Sequence, residues 1–117
     1  MDDLYKEIIL DHYQSPNNRG KLVGAVEAGE ANMTCGDSLK LYVKLADGII
    51  EDAKFDGGGC AISMAAIDLL LDEVIGKKLT DVQKMSGKQI EEMMGVTLTP
   101  SRKKCAYLGL EVLKKIK

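Results

Sequence analysis

The chain has 117 residues, 45% of them hydrophobic and 29% charged, with a formal net charge of -2. That length suits one domain spanning 1–117 with a core of ordinary size, and the slightly acidic balance gives no electrostatic footprint for nucleic acid. No apolar run approaches the ~18 residues of a membrane span, and Asp2, Asp3, Lys6 and Glu7 fall where a secretory leader needs an apolar stretch. A cytoplasmic protein with reduced thiols is therefore the expectation. With one Phe, four Tyr and no Trp, Leu, Ile and the six Met must fill the core.

Residues 3–14 read as a short amphipathic helix in which Leu4, Tyr5, Ile8, Ile9 and His12 share helical spacing. Pro16 ends it by disfavouring helical geometry at Ser15. His12, the only histidine, reads as a partly exposed helix residue rather than a ligand. Residues 22–34 read as a short first strand followed by a mobile loop holding Gly29, Asn32 and Thr34. Residues 39–45 are the clearest strand: Leu39, Leu41, Val43 and Leu45 alternate with Lys40, Tyr42 and Lys44, giving one buried and one wet face. Asp47-Gly48 signals a hairpin, and residues 49–55 return antiparallel.

Gly57-Gly58-Gly59 favours neither a strand nor a helix interior, and it lets the backbone turn sharply before Cys60. A helix follows from Ile62 to Ile75, with Ile62, Ala66, Leu69, Leu70, Glu73 and Val74 on its core face and Gly76 after it. Thr80–Met85 and Gly87–Met94 read as two short helices. Thr99-Pro100 opens the last helix, with Thr99 as N-cap and Pro100 at the first helical position. Ala106, Tyr107, Leu110, Leu113 and Ile116 supply its core face, and Lys114, Lys115 and Lys117 suit its C-terminal dipole.

Three cysteines carry the chemical signal. They stand in Thr34-Cys35-Gly36-Asp37, in Gly57-Gly58-Gly59-Cys60-Ala61 and in Arg102-Lys103-Lys104-Cys105. The gaps of 25 and 45 residues are not those of a zinc finger, so only folding can bring the sulfurs together. An odd thiol count with Asp37 close by points to a metal or sulfur site rather than a disulfide framework. All three fall at junctions of elements, where binding sites usually sit, and the starts of helices favour thiolate. Arg102, Lys103 and Lys104 add positive charge beside Cys105. Three sulfurs and the Asp37 oxygen would suit tetrahedral zinc or an iron–sulfur cluster. The competing readings are that Cys60 and Cys105 are small buried hydrophobes and that Asp37 forms an Asx turn.

In this order and spacing the motifs are highly specific. Leu4-Tyr5 through Asp11-His12-Tyr13, then Ser15-Pro16-Asn17-Asn18-Arg19-Gly20, the Cys35 segment, Glu51-Asp52-Ala53-Lys54-Phe55 with Gly57 to Cys60, and Pro100 to Cys105 together resemble the IscU/SufU/NifU N-terminal domain family. The resemblance covers nearly the whole chain. It implies an α+β fold with a three-stranded antiparallel sheet packed on helices. It also implies a shallow exposed site made by Cys35, Asp37, Cys60 and Cys105. Family members receive sulfur from a cysteine desulfurase, build a transient 2Fe–2S cluster and pass it to apo-proteins or carriers; many bind Zn²⁺ in the same site.

Two departures matter. Lys104 stands where IscU proteins carry a histidine, and a protonated lysine has no lone pair to donate. That residue and the Pro100-x-Arg102-x-Lys104-Cys105 pattern look like SufU, yet the insertion that SufU proteins carry between the second and third cysteines is missing. The leading expectation is a non-enzymatic scaffold with Cys105 as persulfide acceptor. The alternative is a zinc-dependent persulfide sulfurtransferase with Cys35 as acceptor and Arg102 pairing with Asp37. A purely structural zinc protein would not need the open glycine approach to Cys60. Expected partners are a cysteine desulfurase, apo-protein acceptors and a second copy of the chain, with neither nucleic acid nor membrane.

Overall fold

A computed structural model describes residues 3–32, 37–95 and 98–116 of the chain. The elements run α1 (Asp3–Gln14), β1 (Val26–Asn32), β2 (Asp37–Ala46), β3 (Ile49–Gly58), α2 (Ala61–Val74), α3 (Leu79–Val82), α4 (Gly87–Met94) and α5 (Pro100–Lys115). The strands form one antiparallel sheet in the order β1-β2-β3, and with the helices they make the expected α+β fold. Among the described residues no helix is long and apolar enough to cross a membrane.

The sheet follows from alternation. Leu39, Leu41 and Val43 of β2 and Ala53 and Phe55 of β3 are buried on the helix side. There α5 packs on β1 and β2, and α2 packs on β3 and α5. The β2–β3 hairpin turns at Asp47 and Gly48, both left-handed with φ of 53° and 78°, as a two-residue hairpin of the right twist demands.

Four expectations are corrected. Gly29 and Asn32 lie inside β1, opposite Lys40 and Asp37, and not in a loop; backbone pairing with β2 needs no side chain, and a Cβ on Gly29 would come within 3.1 Å of the Leu39 carbonyl oxygen. Thr34 lies outside the described residues. Tyr42 does share a face with the exposed Lys40 and Lys44 but is itself 5% exposed, with the Lys40 ammonium 5.4 Å from its ring centre. A 3.0 Å ion pair holds that ammonium to Glu27. The first two glycines of the run extend β3 after all, Gly57 opposite Leu39 and Gly58 opposite Ser38. Finally, α2 is not one-faced. Ser63 to Asp68, Leu70, Leu71 and Val74 are all buried, because α2 has α1, α4, α5 and β3 around it.

Being surrounded, α2 brings a carboxylate into the interior. Asp68 is fully buried, and among the described residues its carboxylate ties the α1 end of the chain to α2. Its Oδ2 meets His12 Nδ1 at 2.5 Å and accepts from Asn17 N at 3.2 Å. Its Oδ1 accepts from Asn18 N at 2.9 Å and from Asn18 Nδ2 at 3.1 Å. Asn18 Nδ2 also reaches Asp72 at 2.8 Å. His12 is thus partly exposed, as expected, but it is a partner of Asp68 from 56 residues away. At the other end, Gln83 after α3 donates to the Leu113 and Ile116 carbonyls at 3.2 and 2.6 Å, closing the last turn of α5.

Replacing Asp68 with alanine strands buried N–H donors, so Asp68→Ala should destabilise the fold by about 3 kcal/mol. His12→Ala leaves the carboxylate its amide donors and should cost about half of that. Urea unfolding at neutral pH measures both; an Asp68→Ala midpoint equal to wild type would contradict the account.

Candidate metal and sulfur site

Strand register sets where the site segments lie. Asn32 pairs with Asp37 across β1–β2, and Ser38 pairs with Gly58 across β2–β3. The chain therefore enters β2 at Asp37 and leaves β3 at Gly58 at the same end of the sheet. Cys35 lies outside the described residues, as does the side chain of Asp37. The backbone of Asp37 stands at the end of the sheet from which Gly59-Cys60 departs.

The approach to Cys60 depends on a glycine. Gly57 has φ of 136°, and a Cβ there would stand 2.1 Å from the Ser38 carbonyl oxygen. Only a residue without a side chain allows β3 to bend while still paired to β2. Two residues further on, Gly59 leads into Cys60, the N-cap of α2, at φ -73° and ψ 163°.

Cysteine in that position behaves as a cap. The Cys60 Sγ accepts from the Ser63 backbone N–H at 3.5 Å and lies 3.7 Å from Ser63 Oγ. The Ser63 hydroxyl in turn donates to the Cys60 carbonyl at 3.0 Å. A helix N-terminus carries unsatisfied N–H groups and a positive partial charge, both of which favour negative charge on the sulfur. Cys60 is half-buried, so its sulfur combines anion stabilisation with access. This is the chemistry of a metal ligand, and the donor fits a soft cation such as zinc or iron.

Cys105 differs from the expectation that it sits at a helix start. The N-cap of α5 is Thr99 and Pro100 is its first residue, so Cys105 lies in the second turn, where the dipole's effect on a thiol has faded. It is 2% exposed. Of the cations beside it, Lys103 is drawn 3.7 Å from Glu91 on α4. That carboxylate also accepts from Tyr107 Oη at 2.8 Å, and burial together with this bond pushes the phenol up from its ordinary value. Arg102 and Lys104 are exposed. One turn past Cys105, a Cβ on Gly109 would lie 2.5 Å from Ile67 Cδ1, so α5 and α2 are in close contact there. The two described cysteines thus sit on two helices packed against each other.

Among the described residues one group of three potential ligands meets: His12, Asp68 and Asp72, whose donor atoms lie within 4.8 Å of one another. Its members already satisfy one another and the backbone of Asn17 and Asn18, with His12 Nδ1 on Asp68 and 4.0 Å from Asp72. We read it as a structural tie. Sequence reasoning assigned no role to two residues that serve the Cys60 segment, Ser63 and Arg19. The first has a local signal, a hydroxyl three residues after a capping side chain. The second has none, because its contacts are long-range.

With this geometry in view, similarity to known proteins is informative. The family described as NifU-like N terminal domain matches residues 4–116. A Bacillus subtilis protein named zinc-dependent sulfurtransferase SufU is 38% identical, over 98% of this chain and 90% of its own length. A Thermotoga maritima protein named iron-sulfur cluster assembly scaffold protein IscU is 40% identical, over 95% of this chain and 90% of its own. A crystal structure described as that of a hypothetical protein superposes with a TM-score of 0.81 at 35% identity, covering 98% of this chain and 97% of the other.

Gly57→Ala should separate β3 from β2 at the site end of the sheet, at a cost of about 2–4 kcal/mol from backbone strain and steric conflict. Amide exchange reads this locally: the amides of residues 38–40 should lose protection while those of 50–53 keep it. Unchanged exchange at 38–40 would refute the glycine requirement.

Proposed function

Because the chain belongs to the family of NifU-like N-terminal domains, we propose that it is an assembly scaffold for iron–sulfur clusters. It takes sulfur from a cysteine desulfurase, carries a transient 2Fe–2S cluster as cargo and hands it to apo-proteins or carriers. The cargo sits on Cys35, Asp37, Cys60 and Cys105. The observation that supports this most is the Cys60 sulfur, half-buried at a helix N-cap and approached through a glycine bend. An oxygen ligand at Asp37 holds iron less tightly than a fourth thiolate would, which suits a cluster meant to leave.

Sulfur enters by thiol–persulfide exchange. An acceptor thiolate attacks the outer sulfur of the desulfurase persulfide; a new S–S bond forms, the donor's S–S bond breaks, and the donor cysteine leaves as thiolate. The exchange needs no external oxidant or reductant. It does need an accessible thiolate. Cys105 is 2% exposed, which weighs against it as the first acceptor, so of the two candidates we propose Cys35 for that step.

A second reading, a zinc-dependent persulfide sulfurtransferase, is favoured by the Lys104 position. Its side chain is exposed on α5 and offers no lone pair when protonated, so the protein ligands number four, a closed tetrahedral set for zinc. Bound zinc would hold the ligand thiols deprotonated until the desulfurase displaces one. Arg102, exposed on α5, is then available to pair with Asp37.

Anaerobic reconstitution with iron, cysteine and a desulfurase separates the two. A scaffold develops visible sulfur-to-iron absorption, and Asp37→Ala prolongs the life of that cluster. A sulfurtransferase develops no such absorption and instead stimulates desulfurase turnover only when zinc-loaded. Mass mapping after single turnover should find the first persulfide on Cys35; finding it on Cys105 would reverse the assignment.

A further inference from the structure

Arg19 stands outside the ligand set, yet among the described residues its side chain binds the backbone that leads to Cys60. Residues 18–20 run alongside β3, with Phe55 N donating to the Asn18 carbonyl at 2.9 Å and Gly20 N donating to the Phe55 carbonyl at 2.8 Å. From this rail the guanidinium crosses the Phe55 ring, 5.7 Å from its centre. Its Nη2 then donates to the Gly57 carbonyl at 2.5 Å and lies 3.6 Å from Asp56 Oδ1. Its Nη1 lies 4.0 Å from Met64 Sδ, in the first turn of α2. One side chain therefore touches the residues on both sides of Gly58-Gly59-Cys60.

We propose that Arg19 is a positioning residue for Cys60: it clamps the glycine bend of β3 to the first turn of α2 and so fixes the direction from which the sulfur meets a bound metal. Glycine-rich backbone is the costliest to order, and a Cβ at Gly58 would meet nothing within 4 Å, so side-chain packing does not confine that residue. A charge-assisted bond from a planar guanidinium to the Gly57 carbonyl supplies the constraint at the bend itself. The ion pair with Asp56 is a lesser part, since both side chains are nearly half exposed. Lysine would keep the charge without the fork that reaches the carbonyl and Met64 together.

The proposal rests on the reading of Cys60 as a ligand, and the test separates the two. Wild type, Arg19→Ala and Arg19→Lys are prepared metal-free and titrated with Co²⁺. In parallel, iodoacetamide alkylation of Cys60 and Cys105 is followed by peptide mass spectrometry on the metal-free proteins, and thermal unfolding is recorded. Both variants should bind Co²⁺ about tenfold more weakly, as expected for loss of a residue that orients a ligand, with altered ligand-field bands. Both should alkylate severalfold faster at Cys60 but at the wild-type rate at Cys105. Wild-type affinity and spectrum in both variants would overturn the proposal. So would equal acceleration at Cys60 and Cys105 with a lowered melting temperature, which marks a general structural role. If wild type itself shows no sulfur-to-cobalt band, the ligand reading fails, and the Cys60 alkylation rates still decide whether Arg19 positions the thiol.

Discussion

The carboxylate of Asp68 is the point on which the geometry of the site end rests. It is fully buried, and His12 and the amides of Asn17 and Asn18 converge on it to satisfy its oxygens. Those contacts tie the end of α1 to the middle of α2. They also place Asn18, whose carbonyl accepts from Phe55 and so lays the following residue along β3. From there Arg19 reaches Gly57, and Gly57 leads to Cys60. Four links thus run from a buried carboxyl group in the core to a half-buried sulfur. A buried carboxylate is a costly device for stability alone. Its use here is consistent with specifying one placement of the 17–20 segment among many that hydrophobic packing would tolerate.

The two described cysteines occupy contrasting environments for physical reasons. Cys60 caps a helix, accepts an N–H and meets solvent. Cys105 lies in the second turn of α5, covered by the packing that holds α5 against α2 and the sheet. A site that holds a metal cluster and then releases it benefits from such asymmetry. Of the cations near Cys105 in sequence, Lys103 is engaged with Glu91 while Arg102 and Lys104 are exposed.

Much of the fold was legible in the sequence because local chemistry dictated it. Alternation marked β2, Asp47-Gly48 marked the hairpin, and Thr99-Pro100 marked the start of α5. The failures share one cause. Gly29, Gly57 and Gly58 looked like loop because strand propensity is largely a statement about side chains; backbone hydrogen bonding to β2 held them in the sheet. Tyr42 looked exposed from its position in the alternation, and α2 looked one-faced from its pattern, because periodicity describes one element and says nothing of what surrounds it.

The sequence by itself determined the chemistry: three thiols and an aspartate in glycine-rich or basic settings, and a lysine where a histidine ligand would stand. Residue types and their neighbours are local facts, and family likeness can be recognised from them. Only the tertiary structure decided how those groups are presented. The register of β2 and β3 put Asp37 and the Cys60 approach at one end of the sheet. The packing of α5 buried Cys105, and contacts across dozens of residues, His12 to Asp68 and Arg19 to Gly57, gave roles to side chains with no local signal. Burial and long-range pairing arise only when distant segments exclude water together, so no stretch of sequence taken alone contains them.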